Sequence, residues 1–432
     1  MQLLKRVTGG TVRLVDPFGD ARFGDDTDPR ASPPIDVTVR VRDARAYSRI
    51  LKEGSVGLGE SYADGWWDAD DLSGFLRLAH RSLARTHTAR DRIHRWLRPV
   101  VDPVARRRRA DKDRDARNVR AHYDLGNEFF QRILDETMMY SCAVFERPTD
   151  SLAEASVNKL DRLAGLLALA PGDRVLEIGT GWGGFAVHAA THYGCHVTTT
   201  TISQRQHEFA QRRVKNAGLE DLVTVLADDY RDLGGTFDKI IAIEMIEAVD
   251  WREYETFFAH CRRLLDDAGA LAMQAIVVRD ESFDRIKLHT DFIKSAIFPG
   301  GCLPSVQALT AAASSNGFSH AHEDDIGLHY GETLRRWRRN LTDARDDLDG
   351  LGLDERFVRL WEFYFSYCEA AFEERYVRNV QLLYTTPAWR PPALRTAPST
   401  ETGSPSHSPS PNGSSRRCAD AQVAEPMQRL QG

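Results

Sequence analysis

No apolar run in this sequence reaches the ~18 residues of a membrane-spanning helix. The opening Met1-Gln-Leu-Leu-Lys-Arg-Val-Thr-Gly-Gly10 has no long apolar segment after its basic pair, so a secretory signal is not expected. Cysteine is sparse: the six, at 142, 195, 261, 302, 368 and 418, form no Cys-x-x-Cys pair. That spacing argues against a zinc site or a disulfide scaffold and for a reducing cytosol. A large charge excess is missing too. The formal net charge of −6 over 432 residues excludes a nucleic-acid polyelectrolyte.

What remains is a chain long enough for two domains and a tail, with 42% hydrophobic residues to build a sizeable core. Charge is unevenly spread. Between Arg77 and Arg120, 15 Lys/Arg face 5 Asp/Glu, with Arg106-Arg-Arg-Arg109 at the centre. Such a run suits an anionic surface, phospholipid headgroups or nucleic acid; a solvated linker is the other reading. Residues 1–100 form one compositional unit, in which Ile35-Asp-Val-Thr-Val-Arg-Val-Arg42 alternates as a half-buried strand and 43–51 reads as a short helix. Residues 101–118 read as a basic linker, 119–390 as the main domain, and 391–432, rich in Pro, Ser, Thr and Gly, as a disordered tail.

In the main domain, strands and helices alternate. Ser151-Leu-Ala-Glu154 is a capping-box pattern before a leucine-rich helix ending at Pro171-Gly172. Strands are predicted at 174–178, 196–201, 222–227, 238–243 and 270–278, and helices at 184–193, 204–217 and 252–265. A helical region follows from 280, with a long amphipathic stretch at 354–377 and a closing strand at 379–384. This order implies a mostly parallel α/β sheet covered on both faces, with ligands at the carboxyl ends of its strands.

The glycine-rich turn Arg174-Val-Leu-Glu-Ile-Gly-Thr-Gly-Trp-Gly-Gly184 places Glu177, Gly179, Gly181 and Gly183 at the first strand end. Glycine there lets the backbone turn sharply and approach a ligand closely. The spacing differs from the G-x-G-x-x-G of dinucleotide binders and looks like the first motif of S-adenosylmethionine methyltransferases. The second strand ends without the acid that commonly holds the ribose hydroxyls, leaving Thr201, Ile202 and Gln206; the third ends at Asp229 and Tyr230, placed to meet an adenine. After the fourth, beyond Ile243, come two carboxylates three apart in an apolar run, Glu244 and Glu247. Upstream, His122–Phe130 and Met138–Phe145 gather polar and aromatic residues, Tyr140, Ser141 and Cys142 among them.

The ordered motifs Tyr123-Asp-Leu-Gly-Asn127, Tyr140-Ser-Cys-Ala143, Val175–Gly184, Thr201-Ile-Ser203, Asp229-Tyr-Arg-Asp232 and Ile297-Phe-Pro-Gly-Gly-Cys-Leu-Pro-Ser305 resemble the cyclopropane-fatty-acyl-phospholipid synthase family. Gly59-Glu-Ser-Tyr-Ala-Asp-Gly-Trp-Trp67 resembles the amino-terminal domain of its phospholipid-acting bacterial members, so the likeness runs from about 35 to 386. It implies a Rossmann-like, seven-stranded class I methyltransferase core with helical acyl-binding insertions and a smaller amino-terminal α+β domain. It also implies transfer of the S-adenosylmethionine methyl to a cis double bond of a phospholipid acyl chain, after which a base removes a proton. The cofactor residues it implies are Tyr140, Ser141, Glu177, Gly179, Gly181, Gly183, Thr201, Ile202, Gln206, Asp229, Tyr230 and Ile243, with no metal. In cyclopropane synthases that base is held to be a bicarbonate; its ligands carry over to Cys142, Glu247, Gln274 and Tyr330.

Two positions depart from that pattern. Gln274 stands where the family usually has His, and Glu244 where it usually has Gly. A Glu side chain fills the space of a small anion with its own carboxylate, and two crowded anions raise each other's pKa. The expectation is therefore a base built into the protein, Glu244, in place of bicarbonate. The same pair of departures is similar to an actinobacterial subset making 10-methylene and then 10-methyl (tuberculostearic-type) acids. The expected protein is cytoplasmic and peripheral at the inner face of the cell membrane, with phospholipid as its partner and no nucleic acid. A separate reductase for the methylene product and homo-oligomerisation stay open. The rival readings are a plain cyclopropane synthase and a non-catalytic lipid- or RNA-binding module on a decayed fold.

Overall fold

A computed structural model of the protein describes residues 7, 9–25, 34–82 and 126–390. Residues 83–120 of the basic run, the linker, the tail and His122 to Leu125 lie outside the described residues, while Arg77 and Arg81, at the start of the run, both pair with Glu374 at 2.8 Å. No described helix is long and apolar enough to cross a membrane.

The amino-terminal part folds into a four-stranded sheet. Strands β1 (Gly10–Asp16), β2 (Gly19–Asp25), β3 (Ile35–Val41) and β4 (Trp67–Ala69) lie in the order β2-β1-β3-β4. The alternation expected at 35–42 is β3, with Val37, Val39 and Val41 buried. The β1–β2 hairpin carries no comparably clean alternation, and the sequence reading passed over it. Helices Arg45–Glu53 and Ser55–Ala63 follow β3. The second helix packs on the long helix Glu355–Glu373. Tyr62 Oη donates to Glu362 Oε2 at 2.9 Å, and Arg359 Nη2 to Asp68 Oδ1 at 2.7 Å.

The main sheet has seven strands: β5 (Arg174–Ile178), β6 (His196–Thr200), β7 (Val223–Leu226), β8 (Phe237–Ile243), β9 (Leu265–Val278), β10 (Ser319–Asp325) and β11 (Val377–Thr385). Their order is β10-β11-β9-β8-β5-β6-β7. β5 to β9 pair in parallel, and β11 and β10 close the sheet antiparallel. From β5 the chain builds outward to β7, then returns to place β8 on the other side of β5. Such a reversal opens a crevice at the strand ends, and it falls between the glycine turn and Glu244.

Local chemistry accounts for the elements. The predicted capping box is present: Ser151 Oγ accepts from Glu154 N, and Glu154 Oε2 accepts from Ser151 N, at 3.1 and 2.7 Å. That helix spans Leu152–Leu167 and stops at Ala168, which adopts a left-handed conformation, before Pro171 is reached. Leu160, Leu163 and Leu167 pack with Val175 and Ile241 beneath the sheet. Strand β10 falls inside the stretch from 280 that the sequence predicts to be helical. Its sequence, Ser-His-Ala-His-Glu-Asp-Asp, is almost wholly exposed on an edge, so no apolar periodicity marks it.

Candidate active site

Strand β8 ends at Ile243, and the next residue, Glu244, has φ of 48°, the left-handed region that glycine favours. Its N–H still reaches Gln274 O at 2.8 Å, so the backbone leaves the sheet one residue later than the strand pattern does. The side chain is held from four directions. Oε1 accepts from Cys142 N at 2.9 Å, Gln274 Nε2 at 2.8 Å and Asn379 Nδ2 at 2.6 Å. Oε2 accepts from Tyr330 Oη at 2.7 Å. All four partners are donors, so the site is built for an acceptor at both oxygens. Oε1 is saturated with three; Oε2 keeps lone-pair capacity for one more proton.

The donors are themselves fixed. Gln274 on β9 pairs in register with Gln381 on β11, and Gln381 Nε2 donates to Gln274 Oε1 at 3.0 Å. That bond sets the amide so that Nε2 faces Glu244 and also Cys142 O, at 3.2 Å. Gln274, Asn379 and Gln381 are all buried. Asn379 and Gln381 were not among the expected site residues. Two amides at i and i+2 on an otherwise apolar buried strand were the available signal, since both then project to one face. Tyr330 stacks on Phe372 with ring centroids 4.4 Å apart, and burial beside Glu244 keeps its phenol protonated.

Glu247 sits in the 3-10 turn Ile246–Ala248. Its Oε1 accepts from Ile276 N at 2.5 Å, while Oε2 is buried without a partner. Burial, and then the charge of Glu244, push its carboxyl up to about 8. The crowding expected between two acids is thus relieved by a proton on Glu247. Cys142 takes part through its backbone. Its thiol is buried, donates to Ala143 O at 3.2 Å, and is pushed well up by burial and by Glu244.

Of the residues expected to hold the cofactor, all but Tyr140 and Ser141 fall along the ends of β5 to β8; those two lie in the segment before the helix Leu152–Leu167. Gly179, Gly181 and Gly183 have φ of 102°, 51° and 82°. A Cβ at Gly179 would lie 3.1 Å from Met245 Cγ and one at Gly183 3.2 Å from Ala210 Cβ, but beside Gly181 nothing lies within 4 Å. The turn therefore leaves a cradle at Gly181 that a ligand can enter, and the residues fit the nucleoside donor the sequence implies. Glu177 is buried, accepts from Thr199 Oγ1 at 2.6 Å, and is pushed up to about 8 by burial. Thr201 Oγ1 donates to Gln206 Oε1 at 2.9 Å, and Ile202 follows Thr201, half-buried. Asp229 is engaged by Arg231 at 2.8 and 2.6 Å, and Tyr230 packs edge-on against Phe257. Tyr140 and Tyr364 share a hydrogen bond of 3.0 Å.

Ser141 has a partner the sequence reading overlooked. Lys159 Nζ, fully buried, donates to Ser141 Oγ at 2.6 Å. Burial lowers this lysine to about 8, against the opposing pull of Glu244, Cys142, Asp135 and Glu177.

The profile of the mycolic acid cyclopropane synthetase family matches residues 110–382. The chain is 38% identical over 387 residues to the tuberculostearic acid methyltransferase UfaA1 of Mycobacterium tuberculosis, covering 87% of this chain and 88% of that one. It is 36% identical over 356 residues to the cyclopropane-fatty-acyl-phospholipid synthase of Escherichia coli, covering 82% and 88%. Among solved structures, the cyclopropane synthase MmaA2 from Mycobacterium tuberculosis superposes with a TM-score of 0.59 at 28% identity, over 63% of this chain and 98% of that one. The mycolic acid cyclopropane synthase CmaA1 complexed with SAH and CTAB gives 0.59 at 31% identity, over the same shares.

Proposed function

Because this chain belongs to the mycolic acid cyclopropane synthetase family, we propose that it methylates a cis double bond in a phospholipid acyl chain and yields a methylene-branched product. Its broad activity is that of an S-adenosylmethionine-dependent methyltransferase that modifies lipids. S-adenosylmethionine, when bound, supplies an electrophilic methyl on sulfur. The alkene π electrons form the new C–C bond as the C–S bond breaks, leaving a carbocation on the neighbouring acyl carbon. A hydride shift from the methylated carbon makes that cation tertiary. Loss of a proton from the new methyl then leaves an exocyclic methylene.

One observation carries the reading: the Glu244 carboxylate is cradled by Cys142 N, Gln274, Asn379 and Tyr330. An anion already occupies that cradle, so no bicarbonate is needed there. Oε2, with one donor against three on Oε1, is the atom that takes the proton. Gln274 supports the carboxylate as a neutral donor where an imidazolium would add a charge. Glu247, neutral below about 8, adds no competing anion. The aromatic cluster of Tyr140, Tyr364, Trp337 and Phe298 reaches Tyr330 through Trp337, and such a cluster suits an acyl chain and disfavours water beside the cation.

The substrate reading places the enzyme at a phospholipid surface on the cytoplasmic side, and the class of reaction that consumes an exocyclic methylene is a reduction. The test incubates enzyme, labelled S-adenosylmethionine and oleoyl phospholipid, and identifies the acyl product by mass spectrometry. A methylene-branched chain formed without added bicarbonate supports the proposal. A cyclopropane formed only with bicarbonate overturns it.

A further inference from the structure

Lys159 is the only lysine or arginine among the described residues with no exposed surface. A buried ammonium loses its hydration and has three protons to place. Ser141 Oγ is the one hydrogen-bond acceptor it has among the described residues. The charged and titratable groups that act on it are Glu244, Cys142, Asp135 and Glu177.

The direction of that bond is fixed, because an ammonium can only donate. Ser141 must accept from Lys159, so its own hydroxyl hydrogen is left to point elsewhere. No described residue receives it. The chain neighbours of Ser141 define the space around it. Two residues upstream, Met139 Sδ lies against Gly184 at the glycine turn, 2.5 Å from where a Cβ would be. One residue downstream, Cys142 N binds Glu244. The segment that carries Ser141 thus runs from the glycine turn to Glu244, the two places that a bound methyl donor has to meet.

We propose that Lys159 is a positioning residue that turns the Ser141 hydroxyl into a donor for the α-carboxylate of the bound methionine moiety. A fixed donor backed by a buried positive charge meets an anion with little reorganisation. The inference rests on the chain's reading as an S-adenosylmethionine enzyme. The rival is that Lys159 merely balances Glu177, Glu244 and Asp135, in which case no part of the ligand matters more than another.

Calorimetry on the full chain separates the two. Two probes are used: S-adenosylhomocysteine, which carries the carboxylate, and 5′-methylthioadenosine, which lacks it. Lys159→Met should weaken S-adenosylhomocysteine about tenfold or more and leave 5′-methylthioadenosine unchanged. Ser141→Ala, which removes the hydroxyl itself and leaves the buried ammonium without its one acceptor, should show the same selectivity, with thermal melts of both variants checking that each is folded. The double variant should lose no more than the worse single one, as expected for residues acting in series. Equal weakening of both probes, or undiminished S-adenosylhomocysteine binding in Ser141→Ala, overturns the proposal. Failure of the unsubstituted protein to bind either probe would instead overturn the cofactor reading.

Discussion

Asn379 Nδ2 lies 2.6 Å from Glu244 Oε1, although 135 residues separate the two in the chain. Asn379 comes from the antiparallel closing strand, two strands away from the end of β8. The carboxylate is therefore gripped across β9, and the closing strand helps to build the candidate active site as well as the fold. Asn379→Leu should remove a charge-assisted bond worth roughly 1.5–3 kcal/mol. Turnover should fall about tenfold while S-adenosylhomocysteine affinity holds. Asn379→Asp should cost more, because two carboxylates at that separation must share a proton. Steady-state kinetics with parallel calorimetry checks both.

Glu244→Gln keeps the shape of the side chain and removes its capacity as a base. Product formation should fall by about 10²-fold or more with cofactor binding intact. Glu244→Gly combined with Gln274→His should open the anion cradle and shift the product toward a cyclopropane that needs added bicarbonate. Mass spectrometry of the acyl product, with and without bicarbonate, reads the outcome. A double variant that still yields only the methylene product would sink the built-in base.

Glu247→Gln should be far milder at pH 7, since a protonated Glu and a Gln are both neutral and Gln Oε1 can still accept from Ile276 N. The two should part as pH rises. The carboxyl is held at about 8 in the folded chain against an ordinary 4.5, so between these values the native state binds more protons than the unfolded one. The stability this group contributes is present at low pH and is lost as pH climbs through about 8. Denaturant melts from pH 5 to 9 should show the native protein losing ground to Glu247→Gln, by at most about 1.4 kcal/mol per pH unit.

At Gly181, φ of 51° and open space beside the backbone make separate demands. Gly181→Ala should cost about 1–2 kcal/mol through the left-handed conformation. It should also weaken cofactor binding, because the methyl enters the cradle. Gly181→Asn, which tolerates that conformation better, should recover stability without recovering binding. Affinity that returned with stability would show that the cradle is not where the ligand sits.

Neutralising Arg106 to Arg109 should weaken binding to anionic vesicles by about 1 kcal/mol per charge at low salt. Co-sedimentation with phosphatidylglycerol vesicles measures it. Unchanged binding would leave this run as a linker.

Much of the fold was legible because its strands are short apolar runs between clear breakers. The strand at 174–178 and the helix at 184–193 match their observed bounds. Glu244 and Glu247 stood out for a similar reason, as acids in an apolar context. Asn379 and Gln381 did not, because their meaning depends on which strand lies beside β11, and that is a property of topology rather than of neighbours in sequence. Lys159 hid differently. It lies on the same helix face as Ser156 and Leu163, but a charge on a helix is ordinarily solvated, and nothing local says that this one faces the sheet.

The left-handed backbone at Glu244 has a further consequence. A residue that already sits where glycine is most at ease can be exchanged for glycine with no rerouting of the chain. In the genetic code, glutamate and glycine codons are single-base neighbours, and so are those of glutamine and histidine. Glu244 and Gln274 are thus separated from a Gly and His pair by the shortest mutational steps available. The route passes through backbone geometry that fits every state along the way. Divergence between the two chemistries would then require little more than point mutation on a scaffold already shaped to accept it.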